Sequence, residues 1–298
     1  MDQDNSANRE AEPGQTGWLD RLIRSPLTRL LLFGGGIVAL LLLLQWLSGV
    51  LAQGLGVGWL SGLIHVVLAI LAVHFAYRGI ARLLERRSAT ELSLAGAPRE
   101  TGVGVLIGVG CLAVTVGLIA VLGYYRVEGI GSWAALTTAL GIAATSSYTE
   151  EVLFRGVIFR IVEEGLGTWL ALVISVVLFG LAHLANPNAT LYGAAAIGTE
   201  GGMLLGVAYL LTRRLWLPVG IHFGWNFIQA GVFGPNLSGH EVESLLQSRL
   251  SGPELLSGGA LGVEGSVFTL TLCLLVSFVL LDQARRRDRF IRPFWSRR

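Results

Sequence analysis

The sequence has no lysine, so all 22 of its basic residues are arginine. Charge of either sign is scarce: charged residues make up 14 % of 298 positions, where a soluble domain usually carries about 25 %. Cysteine is scarcer still. Cys111 and Cys273 each lie inside an apolar run, which argues against a disulfide framework and against a cysteine metal site. The first residues, MDQDNSANREAEPGQTG, lack the basic head and short apolar core of a secretory signal peptide, and their polar composition reads as disordered. No HExxH is present, which excludes a zincin helix. No internal repeat or low-complexity tract is visible, and a net charge of +2 gives no reason to expect nucleic acid as a partner.

What fills the chain instead is apolar sequence, 53 % of all residues. It is gathered into runs long enough to cross a hydrocarbon core, which takes ~20 residues. Eight runs qualify: 28–53, 57–81, 102–125, 133–162, 167–185, 191–212, 215–233 and 265–282. The expected fold is therefore all-α, a polytopic membrane helix bundle of about eight transmembrane helices. It divides into a disordered polar N-terminus (1–27), N-terminal spans (28–132), a polar-studded core (133–229), a loop (230–264) and a last span with a basic tail (265–298). Arginine falls on alternate connections: Arg21, Arg24 and Arg29 before the first run, Arg78 to Arg99 after the second, Arg160, then Arg213 and Arg214, then RRRDRFIRPFWSRR at the end. The segment 234–264 carries Glu241, Glu243, Glu254 and Glu264 against Arg249 alone. By the positive-inside rule both termini are expected in the cytoplasm and this acidic loop outside.

Charge inside the runs is the anomaly. TSSYTEEVLFRG, residues 145–156, places two glutamates and an arginine where lipid is expected, and a charge near the centre of a span costs about 2.5–3.5 kcal/mol on insertion scales. Glu151 and Arg155 are four apart, so they share a helix face and can pair. Glu150 lies ~100° round the helix and points elsewhere. FGLAH ends the fifth run at His183, and HFGWN sets His222 and Asn226 one turn apart on the seventh. Counted along their helices, Glu150, His183, His222 and Asn226 fall at comparable depth, and lipid satisfies none of them, so they are expected to face one interior layer. Glu200, in GTEGGMLLG, is a further intramembrane carboxylate beside glycines suited to close packing or a watery entrance. His65 and His74 fit no such pattern and read as structural.

EEVLFR, FGLAH and HFGWN, in that order, resemble the EExxxR, FxxxH and HxxxN motifs of the CPBP group of intramembrane proteases, which includes the type II CAAX prenyl proteases and the Abi bacteriocin-immunity proteins. The resemblance covers about 133–229. It implies peptide hydrolysis within the membrane, with Glu150 and His183 activating water, His222 and Asn226 stabilising the oxyanion, and Glu151, Arg155 and Phe179 in support. The implied partners are a peptide or lipidated, CAAX-like protein substrate and membrane lipid, in the plasma membrane of a prokaryote. No cofactor is favoured. Zinc held by Glu150, His183 and His222 is the alternative, since two histidines and a carboxylate leave one position open. A proton-coupled transporter and a non-catalytic immunity protein are the competing readings of the same residues.

Overall fold

The computed structural model describes residues 25–55 and 58–297 together with Trp18 and Leu22. Most of the expected disordered segment 1–27 lies outside these residues; Pro26 and Leu27 already belong to a helical turn, Pro26–Arg29, capped by Ser25 Oγ. From there the chain runs as helices: α1 (Gly35–Leu55), α2 (Gly58–Leu84), α3 (Ala97–Val121), α4 (Ala134–Glu151), α5 (Arg160–Ala182), α6 (Leu191–Ile197), α7 (Leu204–Thr212), α8 (Trp216–Ile228) and α9 (Val267–Arg286). Among the described residues, four π-helical stretches interrupt or extend them, at Leu30–Gly34, Val152–Phe159, Gly198–Met203 and Gln229–Phe233. Two small antiparallel sheets cover one end. β1 (Tyr125–Ile130) pairs with β4 (Leu246–Leu250), and β2 (Asn236–Leu237) with β3 (His240–Glu241).

The chain is an integral membrane protein. Among the described residues six helices are long and apolar enough to cross a bilayer, fewer than the eight expected, for two physical reasons. Residues 134–185 form a single helical run of 52 residues, which laid straight would be ~78 Å long, far beyond a ~30 Å core. Gly167, at φ 81 and ψ 168, breaks it. The two halves then fold back together, since the rings of Phe154 and Phe179 meet at 4.9 Å. The run 215–233 is helical, but α8 with its π-helical extension carries enough polar side chains to leave it outside the six.

Helices in lipid gain little from hydrophobic burial against each other, so contact comes from close van der Waals approach at small residues. Here α3 and α8 meet glycine to glycine. A Cβ on Gly104 would sit 2.5 Å from Leu217 O, and one on Gly108 would sit 2.1 Å from Ile221 O. From the other side, a Cβ on Gly220 or Gly224 would meet the carbonyl oxygens of Thr101 and Val105 at 2.4 and 2.6 Å. The HxxxN pair thus rides on a helix locked at backbone distance to its neighbour.

The arginine-bearing connections converge on one end. Arg29 and Arg160 both donate to Glu85 Oε1 at 2.8 Å, and both reach Glu164. Arg87 binds Glu85 at 2.6 Å and Glu91 at 2.8 Å. Arg213 pairs with Glu163 and with the carbonyl of Arg289, and Arg297 reaches Glu164 O at 2.7 Å. Burial alone would raise the Glu85 carboxyl, but Arg160, Arg29 and Arg87 hold it below the ordinary range. Glu91 is held low in the same way, by Arg87 and the Tyr77 hydroxyl against its burial.

Candidate functional site

The hairpin turning at Gly167 carries half the site. α4 leads into the π-helical stretch Val152–Phe159, and widened turns of this kind are frequent at functional sites. Arg155 lies inside it, fully buried, with Nη1 donating to Glu151 Oε1 at 2.8 Å and Nη2 to Gly201 O at 2.6 Å. The expected pair is therefore present, and the glycines around Glu200 have a use: one of them offers Arg155 a bare carbonyl. Glu151 has a further partner that spacing did not reveal, His222 Nδ1 at 3.0 Å. With Nδ1–H on that carboxylate, His222 turns Nε2 toward Glu150 Oε2, 4.0 Å away.

Phe179 is the hub. Its carbonyl accepts from His183 Nδ1 at 2.7 Å, which fixes the tautomer and leaves Nε2 with a lone pair. Its ring lies 4.7 Å from the His183 ring and 6.2 Å from that of His222. The Arg155 guanidinium sits 4.9 Å over its face, a cation–π contact in a desolvated setting. Gly201 makes room, since a Cβ there would lie 2.4 Å from the Phe179 ring.

Glu150, His183, His222 and Asn226 all line one cavity of about 620 Å³. Glu150 is part-exposed there, its side chain 31 % accessible, whereas Glu151 is sealed at 0 %. Asn226 donates one amide hydrogen to Ser146 Oγ at 3.0 Å and keeps the second. The cavity also takes in residues that the sequence reading missed: Ser146, Ser238, and His240 and Glu241 on β3. Ser238, His240 and Glu241 lie in the polar loop, and Ser146, in the run 133–162, is a small uncharged side chain that nothing in the pattern singles out.

A smaller space of about 50 Å³ lies behind the histidines, bounded by Glu200, Glu264, His183 and His222. Glu200 is 5 % exposed and its Oε1 has no hydrogen-bond partner. Glu264, from the acidic loop, is equally buried and accepts from Ser238 Oγ at 3.0 Å and from the Ser238 amide. Burial pushes the Glu264 carboxyl up, opposed by the Ser238 hydrogen bonds and by His183. The other buried carboxylates, Glu91, Glu151 and Glu163, each have an arginine; among the described residues these two have none. His74 stays apart from the site, bound through Nδ1 to Tyr148 OH at 2.6 Å, and His65 is half-buried on α2.

Zinc does not fit the side chains as they stand. Glu150, His183 and His222 do not form a three-donor set, and among the described residues no group of three or more histidine, cysteine or acidic side chains does. The 4.0 Å between His222 Nε2 and Glu150 Oε2 exceeds the ~3.3 Å that two ligands ~2.0 Å from a tetrahedral ion would keep.

A family model for type II CAAX prenyl endopeptidase Rce1-like proteins matches residues 131–228, the stretch that carries all three motifs. The chain is also 28 % identical over 110 residues to a Bacillus subtilis (strain 168) protein named "Putative membrane peptidase YdiL". That match covers 37 % of this chain and 41 % of the relative, so the chain spans about two fifths of that relative's length. No solved structure matches.

Proposed function

Residues 131–228 are a CPBP-family core, and from that premise we propose that the protein is an intramembrane endopeptidase that hydrolyses peptide bonds of membrane-associated or lipidated, CAAX-like substrates. The observation that carries the reading is the shared cavity: a part-exposed carboxylate, two histidines and an asparagine, drawn from both arms of the hairpin and from α8, face one space inside an apolar bundle. The proposed setting is the plasma membrane of a prokaryote, with both termini cytoplasmic.

In this mechanism Glu150 and His183 hold a water between them. As water oxygen bonds to the scissile carbonyl carbon, its proton passes to Glu150, and the carbonyl oxygen gains the negative charge. His222, carrying a proton on both ring nitrogens, donates Nε2–H to that oxyanion while Nδ1–H stays on Glu151, and Asn226 adds its free amide hydrogen. The proton then moves to the amide nitrogen as the C–N bond breaks. Donors fixed in a low-dielectric cavity are worth ~2.7–4 kcal/mol each to such a transition state, because the protein does not reorganise to meet the charge. Glu151, Arg155 and Phe179 touch none of the reacting atoms; they position His222 and His183.

The test compares membrane-proteome termini from cells carrying wild-type protein and the Glu150→Gln variant. New termini present with wild type and missing with the variant support the reading. Identical termini overturn it.

A further inference from the structure

The bundle has two chemically different ends, and the cavity lies toward one of them. Arg29, Arg87, Arg160 and Arg297 converge on Glu85 and Glu164 at the first end, Arg213 holds the adjacent Glu163, and Gly167 packs there against Ile291 and Pro293. At the opposite end the cavity is lined by His240 and Glu241, both exposed and both on β3 of the acidic loop. His183 is the residue that closes α5, 16 positions beyond Gly167, which places it ~24 Å from the arginine end. Asn226 is 12 positions beyond Arg214, or ~18 Å along α8. In a hydrocarbon core of ~30 Å, the site lies in the half away from the arginines.

We infer that substrate enters this cavity from the membrane face opposite the arginine network, which the positive-inside rule makes the extracytoplasmic face. The inference rests on the peptidase reading and narrows it. The substrate class becomes an exported polypeptide held at the membrane, with its scissile bond near the outer surface. A lipid anchor is compatible only in the outer leaflet, and a prenylated tail made and left in the cytoplasm lies on the wrong side of the bundle. The flanking chemistry agrees: the outer end presents Glu128, Glu241 and Glu243 beside Arg126 and Arg249, and among the described residues it has no continuous basic surface.

Accessibility tests this without any turnover. The two native cysteines are buried, so an introduced thiol reports its own position. Glu241→Cys on β3 and Ser296→Cys at the other end are treated with a membrane-impermeant maleimide in intact cells and after permeabilisation. Labelling of Glu241→Cys in intact cells, with Ser296→Cys labelled only after permeabilisation, is the expected result. The reverse pattern, or both positions labelled from one side, overturns the inference. If Glu241→Cys fails to accumulate, Glu128→Cys on β1 gives the same reading. A second arm maps the Glu150-dependent termini onto substrate topology; cytoplasmic cleavage positions also overturn the inference while leaving the peptidase reading intact. Correct labelling with no Glu150-dependent termini does the opposite.

Discussion

His222 Nδ1 hydrogen-bonds Glu151 Oε1 at 3.0 Å, the same oxygen that Arg155 Nη1 holds at 2.8 Å. One carboxylate oxygen thus ties together the π-helical stretch and α8, while the adjacent Glu150 stays clear of both ties. The two glutamates of EEVLFR divide the labour, one facing the cavity and one bracing its wall.

Arg155→Ala is expected to lower the thermal midpoint in detergent. It leaves Glu151 buried with the His222 hydrogen bond but no arginine, and breaking a buried ion pair costs ~3–5 kcal/mol in soluble interiors. The double change Glu151→Gln with Arg155→Gln is expected to recover part of that loss, because no lone charge remains. Glu150→Gln is expected to leave the midpoint nearly unchanged while removing cleavage. Melting curves and single-turnover cleavage on all three variants check this, and cleavage by Glu150→Gln at near wild-type rate would refute the assignment of the base.

Gly224→Val is expected to be destabilising. Its first side-chain atom meets Val105 O at 2.6 Å, and rigid backbone has to move, at ~1–3 kcal/mol for a typical overpacked site. Because His222 and Asn226 flank this position, cleavage should fall by more than the folded fraction does. Gly110→Ala on α3, where a Cβ meets nothing within 4 Å, is the control and should be neutral.

Acid should weaken the arginine end. Glu85 and Glu91 are held below their ordinary value of 4.5 in the folded protein. Their contribution is therefore fully present above that value and is lost as pH falls through the lower, folded one. The thermal midpoint is expected to hold from neutral pH to about 4.5 and to drop below it. In a Glu85→Gln, Glu91→Gln variant the midpoint should start lower and the acid slope should flatten. An unchanged slope would place the acid sensitivity elsewhere.

Chelation addresses the alternative chemistry. Because the donors do not gather into a three-ligand set, purified protein stripped with a strong chelator is expected to keep cleaving. Loss of cleavage with recovery on adding zinc would show that Glu150, His183 and His222 close around an ion in solution.

Which features the sequence disclosed follows from the range of the forces involved. Polar residues in apolar runs advertise themselves, so Glu150, His183, His222 and Asn226 were legible, and the 3.6-residue period paired Glu151 with Arg155. The Glu151–His222 contact joins positions 71 apart, and no local pattern encodes it. Glu264 and Ser238 reach the histidines from a loop without periodicity, and the loop's net acidity does not mark which of its glutamates turns in. The π-helical turns escape for a related reason, since their widened spacing is set by tertiary partners such as the Tyr77 hydroxyl on Gly156 O at 2.8 Å.

The span Leu191–Thr212 is wrapped by its neighbours, with 78 % of its most apolar stretch buried against 11 % for Pro26–Leu47. It also carries Glu200, a carboxyl with no cation among the described residues. Alone in lipid, such a helix would bear a penalty of ~2.5–3.5 kcal/mol for that one side chain. Its place in the bilayer is therefore a property of the assembled bundle and not of the segment. During synthesis it follows the α4–α5 hairpin and precedes α8, so the hairpin is available to receive it while α8 is still emerging. Insertion of this span is accordingly expected to depend on the α4–α5 hairpin, and the segment Leu191–Thr212 expressed without that hairpin should be extracted from membranes by alkaline carbonate, whereas a chain ending between Thr212 and Trp216 should keep it.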